Sequence, residues 1–558
     1  MPINGKSSSR KEACALHRAV LNDRSIFVTT APIRFPLHAW LMAAALFIGS
    51  FLLFTRHHDF PYSYHPDEGG KVTQIINGSR NYHHPLLLLS ATDIASRVGF
   101  VARMPQAIVE TGRGVSAAFA AGAVAALALL AWLRYGALAG WGAGLAVALQ
   151  AELFETAHYL KEDPALAFGL ALSLLAAQCW WHVPERRTLR FLAIACGLAA
   201  AGKYIGIIAL AFALPLIIWP PAGVASDRRA RLKFFATVFV LTFLAANLPL
   251  FATKLSSPFR SIRNEVQGVA EGPSGPHGEY LRQLRNDTPP AVTILAGLYA
   301  VALLATARRR TPPEWAALLL PVAYVALISC SAKSAPRYLL PVNALLPALA
   351  VFGAAETVRL VFSPNSRGLR VASILILEAD IGAAPDRWRR AFGGFILAVL
   401  ASWIVWAELP LLHKSYHGFQ HDDPTALAEW VKANLPSNAI IAEDHRVNLS
   451  PTKGEGFSTA ARVPQKVLDA KSAADLGTVD ELLAKGVTHV AVCREIYDRY
   501  EAPSKRASKQ GEFYRRVFQT TLLKEWPRGT ISYLQPGLRL YRIAPEKGAT
   551  PAAVPSPP

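Results

Sequence analysis

The sequence is poor in charge. Only 17% of its 558 residues are Asp, Glu, Lys or Arg, against about 25% in a soluble chain of ordinary composition. With 52% apolar residues, that shortage excludes an ordinary water-exposed globular protein. Cysteine is scarce as well. Of Cys14, Cys179, Cys196, Cys330 and Cys493, Cys493 alone falls in the C-terminal region, so no disulfide framework is expected there. Acidic residues are outnumbered, 39 against 58 Lys and Arg, for a formal charge of +19. Nucleic acid is one partner such a surplus suggests. The basic residues are not interleaved with aromatics as in a recognition module, so no nucleic acid partner is expected. There is no internal repeat. The basic arm of residues 1–35 (Lys6, Arg10, Lys11, Arg18, Arg24, Arg34) is longer than a signal n-region. No small-residue cleavage site follows the first apolar run, so that run reads as retained.

What the sequence has instead is long uncharged blocks. Leu37–Thr55, Gly114–Leu133, Phe234–Leu250 and Ala391–Leu412 are examples. A bilayer core needs about 20 apolar residues per helix. By that measure roughly eleven spans fall near 36–55, 113–133, 137–157, 163–183, 189–202, 203–220, 232–253, 289–306, 313–331, 338–359 and 391–412. The connections at Arg134, Arg186–Arg190, Arg228–Lys233, Arg308–Arg310 and Arg359–Arg390 are basic and alternate along the chain. The positive-inside rule makes them cytoplasmic, together with the N-terminus. Alternation requires two passes between 189 and 220. A single helix of about 30 residues would rise about 45 Å, too long for one pass. Two short helices meeting at Gly202-Lys203-Tyr204 are therefore expected, and interrupted pairs of this kind often border a cavity.

The reading is a polytopic α-helical membrane protein with a membrane domain over 36–412 and a small soluble α/β domain over 413–545. The latter faces the side opposite the N-terminus. Expected elements there are a helix over 424–435, a strand over Ala439–Ala442, a helix over Val479–Ala484, a strand over Val487–Val492, and closing strands at Gly529–Tyr533 and Leu538–Ile543. The Pro/Ala-rich tail, 546–558, reads as disordered. The Ala-rich composition points to a bacterial inner (plasma) membrane.

Chemistry-bearing residues gather in the outward connections. The first carries His65-Pro66-Asp67-Glu68, Lys71 and His83-His84-Pro85. Its structural reading is a helix start, with acids favoured by the helix dipole and Asp67 paired to Lys71 at i,i+4. The second reads Glu152, Glu155, His158, Tyr159, Lys161, Glu162, Asp163, Pro164. Glu152, Glu155, Tyr159 and Glu162 are expected on one helical face, and Asp163-Pro164 as a cap and first turn. Lys203 interrupts an apolar stretch, and an intramembrane cation is a functional candidate by default. Arg337, in the later outer segment Pro336-Arg337-Tyr338-Leu-Leu-Pro341, either snorkels or forks onto a phosphate.

In this order, HPDE…HHP, HYLKEDP (His158–Pro164), GKYIG (Gly202–Gly206), GPHGEYL (Gly275–Leu281) and PRYLLP resemble the GT-C membrane glycosyltransferases. These use polyprenyl-phosphate sugars and include protein O-mannosyltransferases and the lipid A aminoarabinose transferase. The resemblance covers most of 36–412. It departs from the family pattern at Gly69-Gly70, where a more polar segment is usual. It implies inverting displacement at the anomeric carbon of a polyprenyl-phosphate-linked sugar, beside membrane lipids. Asp67 is the expected base, its pKa raised by burial beside the membrane. Glu68 or Asp163 would orient the acceptor, share the proton or bind a cation. Lys203, Arg337 and, more weakly, Lys71 would hold the leaving phosphate. His65, His84, Tyr159, Tyr204, His277 and Tyr338 are candidates for sugar or acceptor contacts. His65, Asp67 and Glu68 are also ligand types for a divalent cation such as Mg or Mn.

A transporter or lipid-linked-sugar flippase is the competing class. It should show repeat symmetry and ionisable residues at helix midpoints, whereas the carboxylates here lie in outer connections. An adhesion or sensor protein would leave those carboxylates unexplained. Lipid A, a protein, a cell-wall polymer and another lipid all fit as acceptors.

Overall fold

Uncharged runs in lipid must satisfy their backbone internally, which makes them helices. The computed structural model describes residues 35–62, 64–221, 224, 227–271, 278–330, 335–362, 386–450, 462–502 and 505–544. The N-terminal arm up to residue 34, His277 and the tail beyond 544 lie outside the described residues. Each apolar segment expected to span falls on a helix or a pair of helices. Among the described residues, six are long and apolar enough to cross a membrane: Leu37–Phe54, Pro105–Tyr135, Asp163–His182, Pro312–Ser329, Pro336–Phe362 and the run Ala391–Asn434. Two bent pairs, Ala137–Ala148 with Ala151–Ala157 (59°) and Glu279–Asp287 with Pro290–Ala305 (114°), raise the number to eight if each is one span. The chain is an integral membrane protein. Six to eight is fewer than the roughly eleven expected. The remaining helices fall short: Arg186–Gly202 has 17 residues, Tyr204–Ile218 is short, and Arg228–Ala246 opens on a basic turn.

The expected break at Lys203 is present. Helix Arg186–Gly202 ends there, Lys203 is extended, and a 3-10 turn, Tyr204–Ile208, leads into helix Ala209–Ile218. A Cβ on Gly206 would stand 2.0 Å from the Ala199 carbonyl oxygen, so only glycine lets this turn fold back on the preceding helix. Pro105–Tyr135 begins well before the expected span and carries Arg113 inside it. Its far end, with the end of Leu340–Phe362, forms the opposite face of the helical unit.

The first loop is stitched to a later one by a short parallel pair, β1 (Ser79–Arg80) with β2 (Lys254–Leu255). After the helix Asp386–Phe419, which runs past the expected domain boundary at 413, the chain forms a mixed α/β unit. Its described strands are β3 (Ile440–Asp444), β4 (Lys466–Ala470), β5 (His489–Cys493), β6 (Thr521–Trp526) and β7 (Leu538–Arg542), in the order β4-β3-β5-β7-β6. β3 pairs in parallel with β4 and β5, and β7 runs antiparallel to β5 and β6. Its core includes Leu427, Val431, Ile441, Val490 and Leu540. Helices Asp423–Asn434 and Val479–Ala484 sit where expected; the latter starts on a Thr478/Glu481 capping box.

Gly529–Tyr533 is not a strand. It belongs to the connection between β6 and β7, which buries Ile531 and Leu534 in the core of the membrane helices. Packing against the other unit overrides local strand preference there. Leu534 also accepts the Asp423 backbone N–H at 3.0 Å. Tyr64 Oη donates to Asp422 Oδ1 at 2.7 Å and accepts from Arg462 at 2.7 Å, so the α/β unit is tied to the first loop.

Candidate active site

The first loop forms the helix Pro66–Ile76, with His65 as N-cap: its Nδ1 accepts the Asp67 backbone N–H at 3.2 Å. Proline in the first turn and two acids beside the positive helix end account for its start. Successive helical positions diverge by about 100°, and the two carboxylates part accordingly. Glu68 is fully buried in a bidentate pair with Arg113, 2.9 Å from Nε and 2.6 Å from NH2, and accepts the Leu160 N–H at 2.9 Å. Asp67 keeps 41% of its side chain exposed. It is paired with Lys161 Nζ, and Arg337 NH2 stands 3.6 Å from the same oxygen. Glu68 therefore anchors loop to loop and presents no oxygen to the opening. Arg113 also donates to the His58 and Phe60 carbonyls, at 2.7 and 2.5 Å.

The second connection departs from its expected form. Helix Ala151–Ala157 stops at His158, so Tyr159 and Glu162 do not share a helical face with Glu152 and Glu155. His158 is buried, stacked 4.0 Å from Phe419, with its ring nitrogens at the Phe154 and Arg56 carbonyls. Asp163 is the first residue of helix Asp163–His182 and does not cap it. Its carboxylate accepts from Lys203 at 2.7 Å. Lys71 does not pair with Asp67. It donates to Glu162 Oε2 at 2.7 Å and to the Leu160 carbonyl at 2.8 Å. That buried pair holds the first loop against the second and occupies Lys71, which weakens its case as a phosphate ligand.

Arg337 sits on the 3-10 turn Pro336–Leu339 at the head of helix Leu340–Phe362. The turn is braced by the Ala335 N–H, which donates to Tyr280 Oη at 3.3 Å. Lys203 lies 4.5 Å from the centre of the Tyr338 ring. Tyr204 Oη donates to the Tyr82 carbonyl at 3.0 Å, and so supports the first loop. His65 packs 4.7 Å from Tyr159 and 4.5 Å from Tyr533 between ring centres. The Tyr159 hydroxyl is buried without a hydrogen-bond partner among the described residues. His84 lies close enough to Glu162 to help hold it ionised.

Asp67 and Arg337, both over a third exposed, thus face one opening, with the largely buried Asp163–Lys203 pair, His65 and Tyr338 behind them. Sequence reading missed three members. Lys161 was present in HYLKEDP but given no role, Arg113 lay inside a span, and Tyr533 was assigned to a strand. The Lys directly preceding Glu162-Asp163 was the one available signal. Three carboxylates (Asp67, Glu162, Asp163) face four cations (Lys71, Lys161, Lys203, Arg337), leaving one positive charge over. Such an opening attracts an anion.

The Asp67 pKa is lowered, where burial was expected to raise it. Burial does push upward, but the Lys161 ammonium, and Arg337 after it, outweigh it and hold the carboxyl well below the usual range. Burial and then the neighbouring Lys71 and Arg337 bring Lys161 down to about 8. For Glu162, burial is overridden by Lys71 and His84, which lower it to about 2. Burial and Lys161 push His65 below its ordinary value, which leaves it a neutral cap. The expected cation ligand set His65, Asp67 and Glu68 does not fit. Both Glu68 oxygens serve Arg113, and His65 Nδ1 serves a backbone N–H. Among the described residues no three His, Cys, Asp or Glu side chains gather as a metal site.

No protein-family model and no curated protein matches the chain. Solved structures do. The apo oligosaccharyltransferase of Archaeoglobus fulgidus is 14% identical with a TM-score of 0.50, over 88% of this chain and 74% of that one. ArnT from Cupriavidus metallidurans bound to undecaprenyl phosphate is 14% identical with a TM-score of 0.47, over 90% and 98%. The S. cerevisiae protein O-mannosyltransferase Pmt1-Pmt2 complex bound to the sugar donor is 15% identical with a TM-score of 0.33, over 46% and 38%. These neighbours are GT-C glycosyltransferases. The likeness to the oligosaccharyltransferase gives this chain the GT-C fold.

Proposed function

We propose that the chain is an inverting glycosyltransferase that moves a sugar from a polyprenyl-phosphate donor to an acceptor at the outer face of the membrane. The observation that carries this reading is the meeting of Asp67 with Lys161 and Arg337, from three separate connections, at an opening with surplus positive charge. In this reading roughly eleven crossings place these connections, and the α/β unit, outside.

Asp67 accepts the proton of the attacking hydroxyl or amine; it is the half-exposed member of the acidic pair. The acceptor attacks the anomeric carbon as the bond to the lipid phosphate breaks, through a transition state of oxocarbenium character. The leaving phosphate gains negative charge in that step. Arg337 and Lys161 face it and stabilise the change more than the ground state. Lys203, tied to Asp163, adds positive potential beside Tyr338. Tyr533, partly exposed, offers a ring face to a sugar or acceptor, and the buried His65 and Tyr159 pack behind it.

The test is transfer of radiolabelled sugar from a panel of polyprenyl-phosphate donors by purified protein in detergent, where no gradient exists. Turnover by wild type and none by Asp67→Asn is expected. Equal turnover by Asp67→Asn removes that residue as base. No transfer in detergent, together with translocation of the lipid by the protein reconstituted in sealed vesicles, would instead favour a flippase.

A further inference from the structure

We infer that Lys161, which faces the donor phosphate, also withholds the Asp67 carboxylate until that phosphate draws its ammonium away. The inference rests on the reading of Asp67 as proton acceptor at a phosphate site.

Lys161 lies in the short turn between helices Ala151–Ala157 and Asp163–His182. Its backbone is held on every side. The Lys161 N–H donates to Ser116 Oγ at 3.2 Å, and the preceding Leu160 N–H donates to Glu68 at 2.9 Å. The following Glu162 carboxylate grips Lys71 at 2.7 Å. The partner is fixed as firmly, because Asp67 shares its first helical turn with the buried Glu68–Arg113 pair. Two immobile backbones therefore bring one buried ammonium, 4% exposed, onto Oδ2 of Asp67.

That oxygen also faces Arg337. The remaining charged or titratable neighbours are His65, Lys71, Glu162, Asp163 and Tyr533. A carboxylate gripped in this way is a poor proton acceptor, since the ion pair favours its charged form at any pH of interest. Lys161 is the group that must move. A phosphate arriving at the cationic side carries at least as much charge as the carboxylate, and charge-assisted bonds to phosphate are strong. As Nζ turns to the phosphate, Asp67 is released towards ordinary carboxylate basicity. Proton abstraction is then coupled to donor occupancy, and the donor must precede the acceptor.

The experiment is a double-mutant cycle on binding of undecaprenyl phosphate to the full-length purified protein, followed by native mass spectrometry. Asp67→Asn leaves Lys161 without its partner, so the variant is expected to bind the lipid about tenfold more tightly than wild type. With Lys161→Met as background, the same Asp67→Asn change is expected to alter affinity less than about twofold. Plain repulsion between Asp67 and the phosphate makes the opposite forecast, because the gain would persist without Lys161. Persistence of that gain overturns the inference, as does an Asp67→Asn protein that binds no better than wild type. Lys161→Arg keeps the charge and should restore the dependence on Asp67. Should Lys161→Met not fold, Lys161→Gln takes its place in the cycle. If wild type and every folded variant fail to bind undecaprenyl phosphate, the donor reading falls and this inference with it.

Discussion

The membrane helices carry an ionic cluster at each end, and the two clusters are built differently. At one end Arg310 forks onto Glu356, at 2.9 and 2.7 Å, and also reaches Glu314 at 3.0 Å. Tyr135 Oη donates to the same Glu356 at 2.9 Å, and Arg134 joins Gln178 and Tyr299. At the other end, roughly 30 Å away along helix Leu340–Phe362, Arg337 approaches Asp67 at 3.6 Å and both are over a third exposed. In the first cluster the acid is buried and held by short, multiple bonds, with Arg359 only an outer partner at 3.7 Å. In the second the acid itself is 41% exposed, and its guanidinium stands off at 3.6 Å. Both would read as charged helix ends in sequence. Closure marks the first as structural, and incompleteness marks the second as a place for a ligand.

The comparison can be broken most severely at Asp67. Asp67→Asn should lower turnover by about 10²–10⁴-fold, the usual contribution of a positioned base, in protein that still folds although buried Lys161 loses its partner. Sugar-transfer assays and a detergent melting curve check this together. The reverse pattern is expected at the opposite end. Arg310→Ala strips buried Glu356 of its forked partner and leaves it the Tyr135 hydroxyl and Arg359, 3.7 Å away, so the lost charge-assisted bonds cost about 1.5–3 kcal/mol. Its melting temperature should drop sharply while turnover per folded molecule holds. A stable Arg310→Ala protein would mean that the closed cluster is not structural. Arg337→Lys is milder: it keeps the charge but loses the planar fork, so about a tenfold higher KM for the donor is expected. Steady-state kinetics with varied donor decides it.

Much of the frame was legible beforehand. The apolar runs fell on helices, the interruption fell at Lys203, and Asp67 and Arg337 came together although about 270 residues separate them. These follow from hydropathy and loop charge, which act locally or through membrane sidedness. The pairings were not legible. A spacing rule joined Asp67 to Lys71 within one helix, yet Lys71 crosses to Glu162 and Asp67 to Lys161. Adjacency also suggested that Asp67 and Glu68 act as one pair. Helical twist instead sends Glu68 towards Arg113, which stands at the very start of an expected span, just before its uncharged run. Tyr533 was misread because its turn obeys packing against another unit, not local strand preference.

The smallest effect tests whether the open cluster holds a tunable charge. Lys161 has its pKa brought from 10.5 down to about 8, first by burial and then by Lys71 and Arg337. Below about 8 both folded and unfolded chains hold that proton, and the cost of burying the ammonium is paid in full. Between about 8 and 10.5 the unfolded chain retains a proton that the folded one has lost. Stability must then rise with pH, since it does so wherever the unfolded state binds more protons. The difference in melting temperature between wild type and Lys161→Met should therefore change between pH 7 and pH 9 in wild type's favour. Wild type should gain on the order of 1 kcal/mol relative to the variant. Arg310 at the closed end supplies the contrast, because a guanidinium keeps its proton throughout that window. Arg310→Ala should melt lower by the same amount at both pH values, and parallel pH curves for wild type and Lys161→Met would leave the open cluster no more tunable than the closed one.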